Sequence, residues 1–186
     1  MKTNYKLHLS TTKDALRPVM QHILLTKDNF VATDAHILAV VPANLILSDA
    51  SIECIPDEGL LINSAIWKSI YSADEITVYS EGGICKIVGH FRNKPTMEFK
   101  VELNGFELGT VGTFPKWEQV IPQETARQEM VMTGINAKLL MNLSDALNAS
   151  NGFKLEFNGT QKGIICTPIN KDAVKPYGLI MPIKID

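Results

Sequence analysis

Short apolar runs, alternating or continuous and broken by Gly, Pro, Asn and Asp, make up most of this chain and predict strands rather than long helices. The run YKLHLS alternates at period two and reads as a strand. LRPVMQHILL fits a helical face at Leu16, Val19, Met20 and Ile23, but Pro18 would interrupt that helix, so a strand is favoured. FVATDAHILAVVP is a β-rich run with a polar break, TDAH, closed by Pro42. Then comes a loop with Pro56, Asp57 and Gly59. Beyond it, Asn63 is a candidate N-cap for a short helix with Ala65, Ile66, Ser69 and Ile70 on one face. EITVYS, GICKIVGHF and TMEFKVEL predict three further strands.

The same order then recurs. EMVMTGI predicts a strand, and NAKLLMNLSDALNAS a helix capped by Asn136, with Leu139, Leu140, Leu143, Ala146 and Leu147 on one stripe. FKLEFN, KGIICTPI and YGLIMPIKI supply three more strands. A β-α-β-β-β unit repeated at a period of about 50–60 residues implies antiparallel sheets with helices on one side, an α+β fold. The first unit shows the same plan with its helix lost or reduced.

Composition narrows the function classes. With 186 residues and 45% apolar side chains, the chain is long enough to bury a core without disulfides. Cys54, Cys85 and Cys166 have no CxxC spacing, so they read as core thiols of a reducing compartment rather than a disulfide or zinc framework. The polar N-terminus lacks a signal-like apolar stretch and no run approaches a bilayer span, which points to a cytoplasmic protein without a membrane partner. A formal charge of −2 advertises no overall field for nucleic acid.

Candidate chemistry is sparse. Asp34 and His36, two apart on a strand, would share a face suited to metal or acid–base work. However, His8, His22 and His90 lie in separate runs, and no nucleophile elbow, phosphate loop or zinc motif is present. The expectation is therefore no catalysis and no cofactor, with Asp34 stabilising a turn and His36 packed or lining a pocket. Arg92, Lys94 and Lys100 cluster near a strand turn and read as solvated charges. The segment TFPKWEQVIP cannot be a central helix or strand, because Pro115 and Pro122 lack amide donors; it is a stiff connector.

Three segments, RPVMQHILLTKDNFVATDAHILAVVP, GTFPKWEQVIP and the C-terminal YGLIMPIKI, resemble in order and type the β sliding clamp of bacterial DNA polymerase III. The likeness is to that family's middle domain followed by the second half of its last domain. It implies a clamp-like domain over 1–122, its first half reduced, and a single half-domain over 123–186. It further implies non-enzymatic work in replication or repair: duplex DNA encircled by a ring, and short peptides of polymerases or other DNA-processing proteins docked in a surface pocket. Residues carried over to that pocket are Met20, Thr33, Ala35, His36, Ile37 and Leu38; Pro115, Gln119 and Val120; and Leu179, Ile180, Met181, Pro182 and Ile183. Ala35 and Ile37 stand where the family has Gly and Arg, and Gln119 where it has Arg, so the rim is less polar. Lys68 and Lys138 are the DNA-facing candidates on the two helices. Three half-domains leave one without a mate. Either residues 123–186 pair with their counterpart in a second chain, giving a homo-oligomer, or they rest on the first two units. The alternative function is a peptide-binding adaptor or decoy that ignores DNA.

Overall fold

The computed structural model describes residues 4–105, 112–122, 133–159, 162–169 and 175–183. Strands β1 (His22–Leu25), β2 (Asn29–Thr33) and β3 (Ile37–Pro42) come first. Next are helix α1 (Asp49–Glu53), β4 (Leu60–Asn63), α2 (Ser64–Ile70), β5 (Glu75–Glu81), β6 (Ile84–His90), β7 (Met97–Lys100) and β8 (Glu102–Leu103). The last group is α3 (Ala137–Ala146), β9 (Phe153–Glu156), β10 (Ile164–Pro168) and β11 (Tyr177–Ile180). Eight strands form one antiparallel sheet in the order β8-β4-β1-β2-β3-β11-β10-β9, and β5-β6-β7 form a second. The fold is α+β, as the repeat predicts.

Both predicted helix caps are present. The Asn63 side chain accepts the Ala65 N–H and that of Asn136 accepts the N–H groups of Lys138 and Leu139. Trp67 and Ile70, rather than Ala65 and Ser69, are the buried side of α2. The helices cover one face of the large sheet, with Trp67, Ile70, Leu143 and Leu147 among the fully buried side chains there. A smaller cluster, Leu24, Val31, Leu38, Val40, Leu61 and Leu179 beneath Phe114, covers the opposite face. Because both faces are covered, β1–β3 read as continuous rather than alternating apolar runs.

Several expectations are corrected. YKLHLS is not a strand. Leu7–Ser10 is a 3-10 turn that packs against α2 and α3. Burial falls on Tyr5, Leu7 and Ser10, and the Trp67 indole donates to the Tyr5 carbonyl at 2.8 Å, so tertiary anchoring overrides the period-two pattern. LRPVMQHILL becomes a strand only at His22; Pro18 opens a 3-10 turn, Pro18–Gln21, where its missing N–H costs nothing. TMEFKVEL is split: β7 pairs with β6, while β8 pairs with β4 in the other sheet. Helix α1 was not foreseen within the loop before Gly59. EMVMTGI lies largely outside the described residues, except that Gly134 bridges to Ile183. Of the three cysteines, Cys166 is buried while Cys54 and Cys85 are half-buried.

Within the chain the C-terminal unit rests on the first. β11 pairs with β3, Tyr177 opposite Val40 through Ile180 opposite Ile37, so one sheet runs from the first unit into the last. Gly178 makes that approach possible. A Cβ there would stand 2.7 Å from the Leu38 carbonyl and 2.7 Å from Leu143 Cδ1. Gly178→Ala is expected to cost roughly 1–3 kcal/mol by overpacking, measured by chemical denaturation; unchanged stability would mean that β3 and β11 are not this close.

Candidate functional site

The β2–β3 connection is a tight turn held by its own side chains. The Asp34 carboxylate Oδ1 accepts the N–H groups of His36 and Ile37, both at 2.8 Å. The Thr33 hydroxyl donates to the Ile37 carbonyl at 2.8 Å and accepts the Ala35 N–H at 3.1 Å. Ala35 sits at φ 76°, in the left-handed region that glycine prefers. Asp34 and His36 therefore do not form a shared strand face: the carboxylate is engaged by backbone, and the exposed imidazole stands at the turn.

Two other segments meet this turn. The Met181 N–H donates to the His36 carbonyl at 2.9 Å, tying the end of β11 to it. The proline connector lies alongside. Its Phe114 plugs the smaller apolar cluster and its backbone N–H is held by the Asn104 side chain at 2.8 Å; after Pro115, Trp117–Val120 forms a 3-10 turn. Between the three segments lies a mainly apolar cleft of about 200 Å³.

Ten of the fourteen expected pocket residues line it. Met20, Thr33 and Ala35 stand with His36, Ile37 and Leu38 on one side. Pro115 and Val120 come from the connector, and Leu179 and Met181 from the C-terminal strand. Ile180 does not: strand alternation sends it to the helix-side core, where it is fully buried. Gln119, Pro182 and Ile183 are also outside the lining. Lys116 and Trp117 line the cleft and were missed, although an amphipathic Trp two residues after a rigid proline was the available signal. Lys116 is the one permanently charged side chain there, and no carboxylate is among the lining residues.

A wider hollow of about 550 Å³ lies between Asn44–Ser48 and the ends of β5 and β6. Two of its polar groups have partners: His90 Nε2 lies 3.1 Å from the Thr77 hydroxyl, and Arg92 Nε 3.8 Å from the Asp74 carboxylate. Among the described residues no group of three His, Cys, Asp or Glu side chains is placed to hold a metal, and no helix is long and apolar enough to cross a membrane.

No protein-family model and no curated protein matches this sequence. Solved structures do. The Bacillus subtilis DNA polymerase sliding clamp superposes with a TM-score of 0.58 at 13% identity, over 100% of this chain and 64% of that one. The Borrelia burgdorferi DNA polymerase III subunit beta, in complex with a natural product, gives 0.62 at 11%, over 99% and 63%. The Helicobacter pylori beta clamp, in complex with diflunisal, gives 0.60 at 14%, over 97% and 62%. The fold is that of a bacterial sliding clamp. The chain spans a little under two thirds of the length of these clamps.

In this clamp fold α2, α3 and the Leu7–Ser10 turn lie together, because both helices pack on that turn. Lys68 and Lys138 are exposed on the helices. Lys6 is paired with Asp145 at 3.2 Å, and Asp145 is the one carboxylate on either helix. His8 stacks at a tilt on Tyr71, 5.3 Å between centroids. Burial, then Lys68, then Lys6 push its imidazole pKa below the ordinary value. The folded state thus resists a proton that the unfolded chain accepts, so stability present above the ordinary histidine range is lost as the pH falls through it.

Two outcomes follow for the site. Asp34→Ala, which strands two N–H groups, is expected to destabilise by about 1–3 kcal/mol, whereas Ala35→Gly at the left-handed position should not destabilise. Equal losses in thermal melts would place the strain elsewhere. In melts taken between about pH 7.5 and about pH 5.5, wild type should lose more stability than His8→Gln; parallel curves would remove His8 from the acid response.

Proposed function

We propose that this protein is a non-enzymatic, clamp-fold docking protein of DNA replication or repair, whose cleft receives short peptide segments of polymerases or other DNA-processing proteins. The observation that carries this reading is the convergence of three chain-distant segments on one apolar cleft whose polar groups are backbone, a hydroxyl, His36 and Lys116. That chemistry suits peptides with apolar anchors and a few orienting polar contacts. Met20 and Met181 lend adaptability to side chains of different shape. Each buried Leu or Phe anchor would contribute about 1.5–3 kcal/mol, so two anchors with backbone hydrogen bonds support micromolar affinity after the entropic cost of binding. The rim, with Ile37 and Ala35 beside His36, selects less polar flanking residues than a rim carrying Arg.

DNA is the cargo that the charge distribution favours less, and a second reading has its own observation. Phosphate neutralisation needs several free cations. Among the described residues the helix side offers Lys68 and Lys138, while Lys6 is neutralised by Asp145; the full sequence carries a formal −2. This sparse charge favours a peptide-binding adaptor, or a decoy competing for the partners of a clamp, over a ring gripping duplex. Retention on circular but not linear duplex would support encirclement; peptide binding with no retention on either would support the adaptor.

Met181→Lys places a charge at the mouth of the cleft. It is expected to weaken binding of a short synthetic peptide with Leu and Phe anchors by at least about tenfold in calorimetric titration, with an unchanged far-UV spectrum. Unaltered affinity would move the site elsewhere.

A further inference from the structure

Among the residues that line the cleft between the β2–β3 turn, the proline connector and the end of β11, Lys116 is the permanently charged one. We infer that the segment received there is acidic: the Lys116 ammonium pairs with an Asp or Glu side chain of the bound peptide, beside its apolar anchors, and so selects among peptides that share those anchors. This charge preference rests on the peptide-docking reading of the cleft and specifies the chemistry of its ligand.

The turn that forms one wall keeps its own donors engaged. Asp34 Oδ1 accepts the N–H groups of His36 and Ile37, the Thr33 hydroxyl accepts that of Ala35, and the Met181 N–H goes to the His36 carbonyl. Successive backbone N–H groups at a turn are a common receptor for a carboxylate, and here the chain's own Asp34 fills it. A carboxylate brought by a ligand must therefore meet a side-chain cation, which Lys116 supplies from the connector wall. The same engagement disfavours a peptide's C-terminal carboxylate, which is usually held by such backbone donors, and favours an acidic side chain reaching the rim.

Sequence and packing set the direction of that charge. Lys116 and Glu118 flank Trp117, and the three diverge. Trp117 packs half-buried on the small apolar cluster, and Lys116 lines the cleft whereas Glu118 does not. Glu118 instead stands near Tyr177 at the start of β11, whose phenol is pushed up in pKa by burial and then by the Glu118 carboxylate. Pro115, with its fixed φ, precedes Lys116, and the 3-10 turn Trp117–Val120 follows it at once. The lysine is thus held between two stiff pieces of chain.

Lys116 is exposed, so its ammonium belongs to the rim of the cleft. A lysine lays its alkyl stem along apolar surface and keeps its head in water. A peptide seated on its anchors would displace part of that water and strengthen the attraction between the ammonium and a carboxylate. The formal charge of −2 gives no long-range steering of an acidic ligand, so the selection is made at contact and should appear mainly in the dissociation rate.

The test is calorimetric titration of the full chain with synthetic peptides blocked at both ends. Each carries Leu and Phe anchors and a single Glu, placed in turn at every position that is not an anchor, and is compared with its Gln counterpart. A Gln peptide with an unblocked C-terminal carboxylate is a further arm. At one position at least, the Glu peptide should bind wild type at least about threefold more tightly than the Gln peptide, and the difference should shrink as salt is raised. Lys116→Gln should erase the preference, and Lys116→Glu should reverse it, so that a peptide with Lys at that position binds more tightly than the one with Glu. Equal binding of Glu and Gln peptides at every position would overturn the inference while leaving the cleft a peptide site. A preference that survives Lys116→Gln would do the same, as would a gain from the C-terminal carboxylate with none from Glu. Failure of every peptide to bind would overturn the docking reading and the charge preference with it.

Discussion

The pairing of β11 with β3 is the constraint on which the rest depends. It brings the last described strand beside the second strand of an early hairpin, across about 140 residues of intervening chain. The four paired positions, Ile37 with Ile180 through Val40 with Tyr177, merge two units into one sheet. The same pairing decides which side chains reach the cleft. In the β11 strand and its exit, Leu179 and Met181 face the connector while Ile180 enters the helix-side core. Without Gly178 the Leu38 carbonyl would have no room, and the cleft would lose a wall.

The connector completes the site. Phe114 packs on the small apolar cluster with Leu38 and Leu179 beneath the cleft, and Pro115 with the 3-10 turn Trp117–Val120 forms the second wall. This is why a proline-bounded, Trp-bearing stretch sits there. Its prolines set the path, and its aromatic residues cover a sheet face that would otherwise be open to water. The sheet is thereby buried on both sides, which accounts for the continuous apolar runs of β1 to β3.

Much of this was legible in the residues. Asn63 and Asn136 announced both longer helices and the repeat announced the α+β class, while the convergence of the TDAH turn, the connector and the C-terminal strand was implied only by the family resemblance. What could not be read locally was decided by tertiary contact. Tyr5 and Leu7 alternate like a strand but are drawn into a 3-10 turn by Trp67, which bonds the Tyr5 carbonyl. Val101 donates to the Cys85 carbonyl as the chain passes from β7 to β8, a change of sheet that no periodicity signals. Ile180 carries the same apolar character as Leu179, and only the strand's facing separates cleft from core. Ala35 is at a left-handed position that its residue type does not advertise; Asp34 and Thr33 hold it there.

The two tryptophans differ in a useful way: Trp67 is fully buried in the helix-side core, while Trp117 lines the cleft. The direct measurement is therefore tryptophan emission during titration with a Trp-free peptide carrying Leu and Phe anchors. Docking in the cleft predicts a saturable blue shift at micromolar peptide that vanishes in Trp117→Phe. Saturable peptide binding, detected in parallel by calorimetry, with no change in Trp117 emission would contradict a function seated in this cleft.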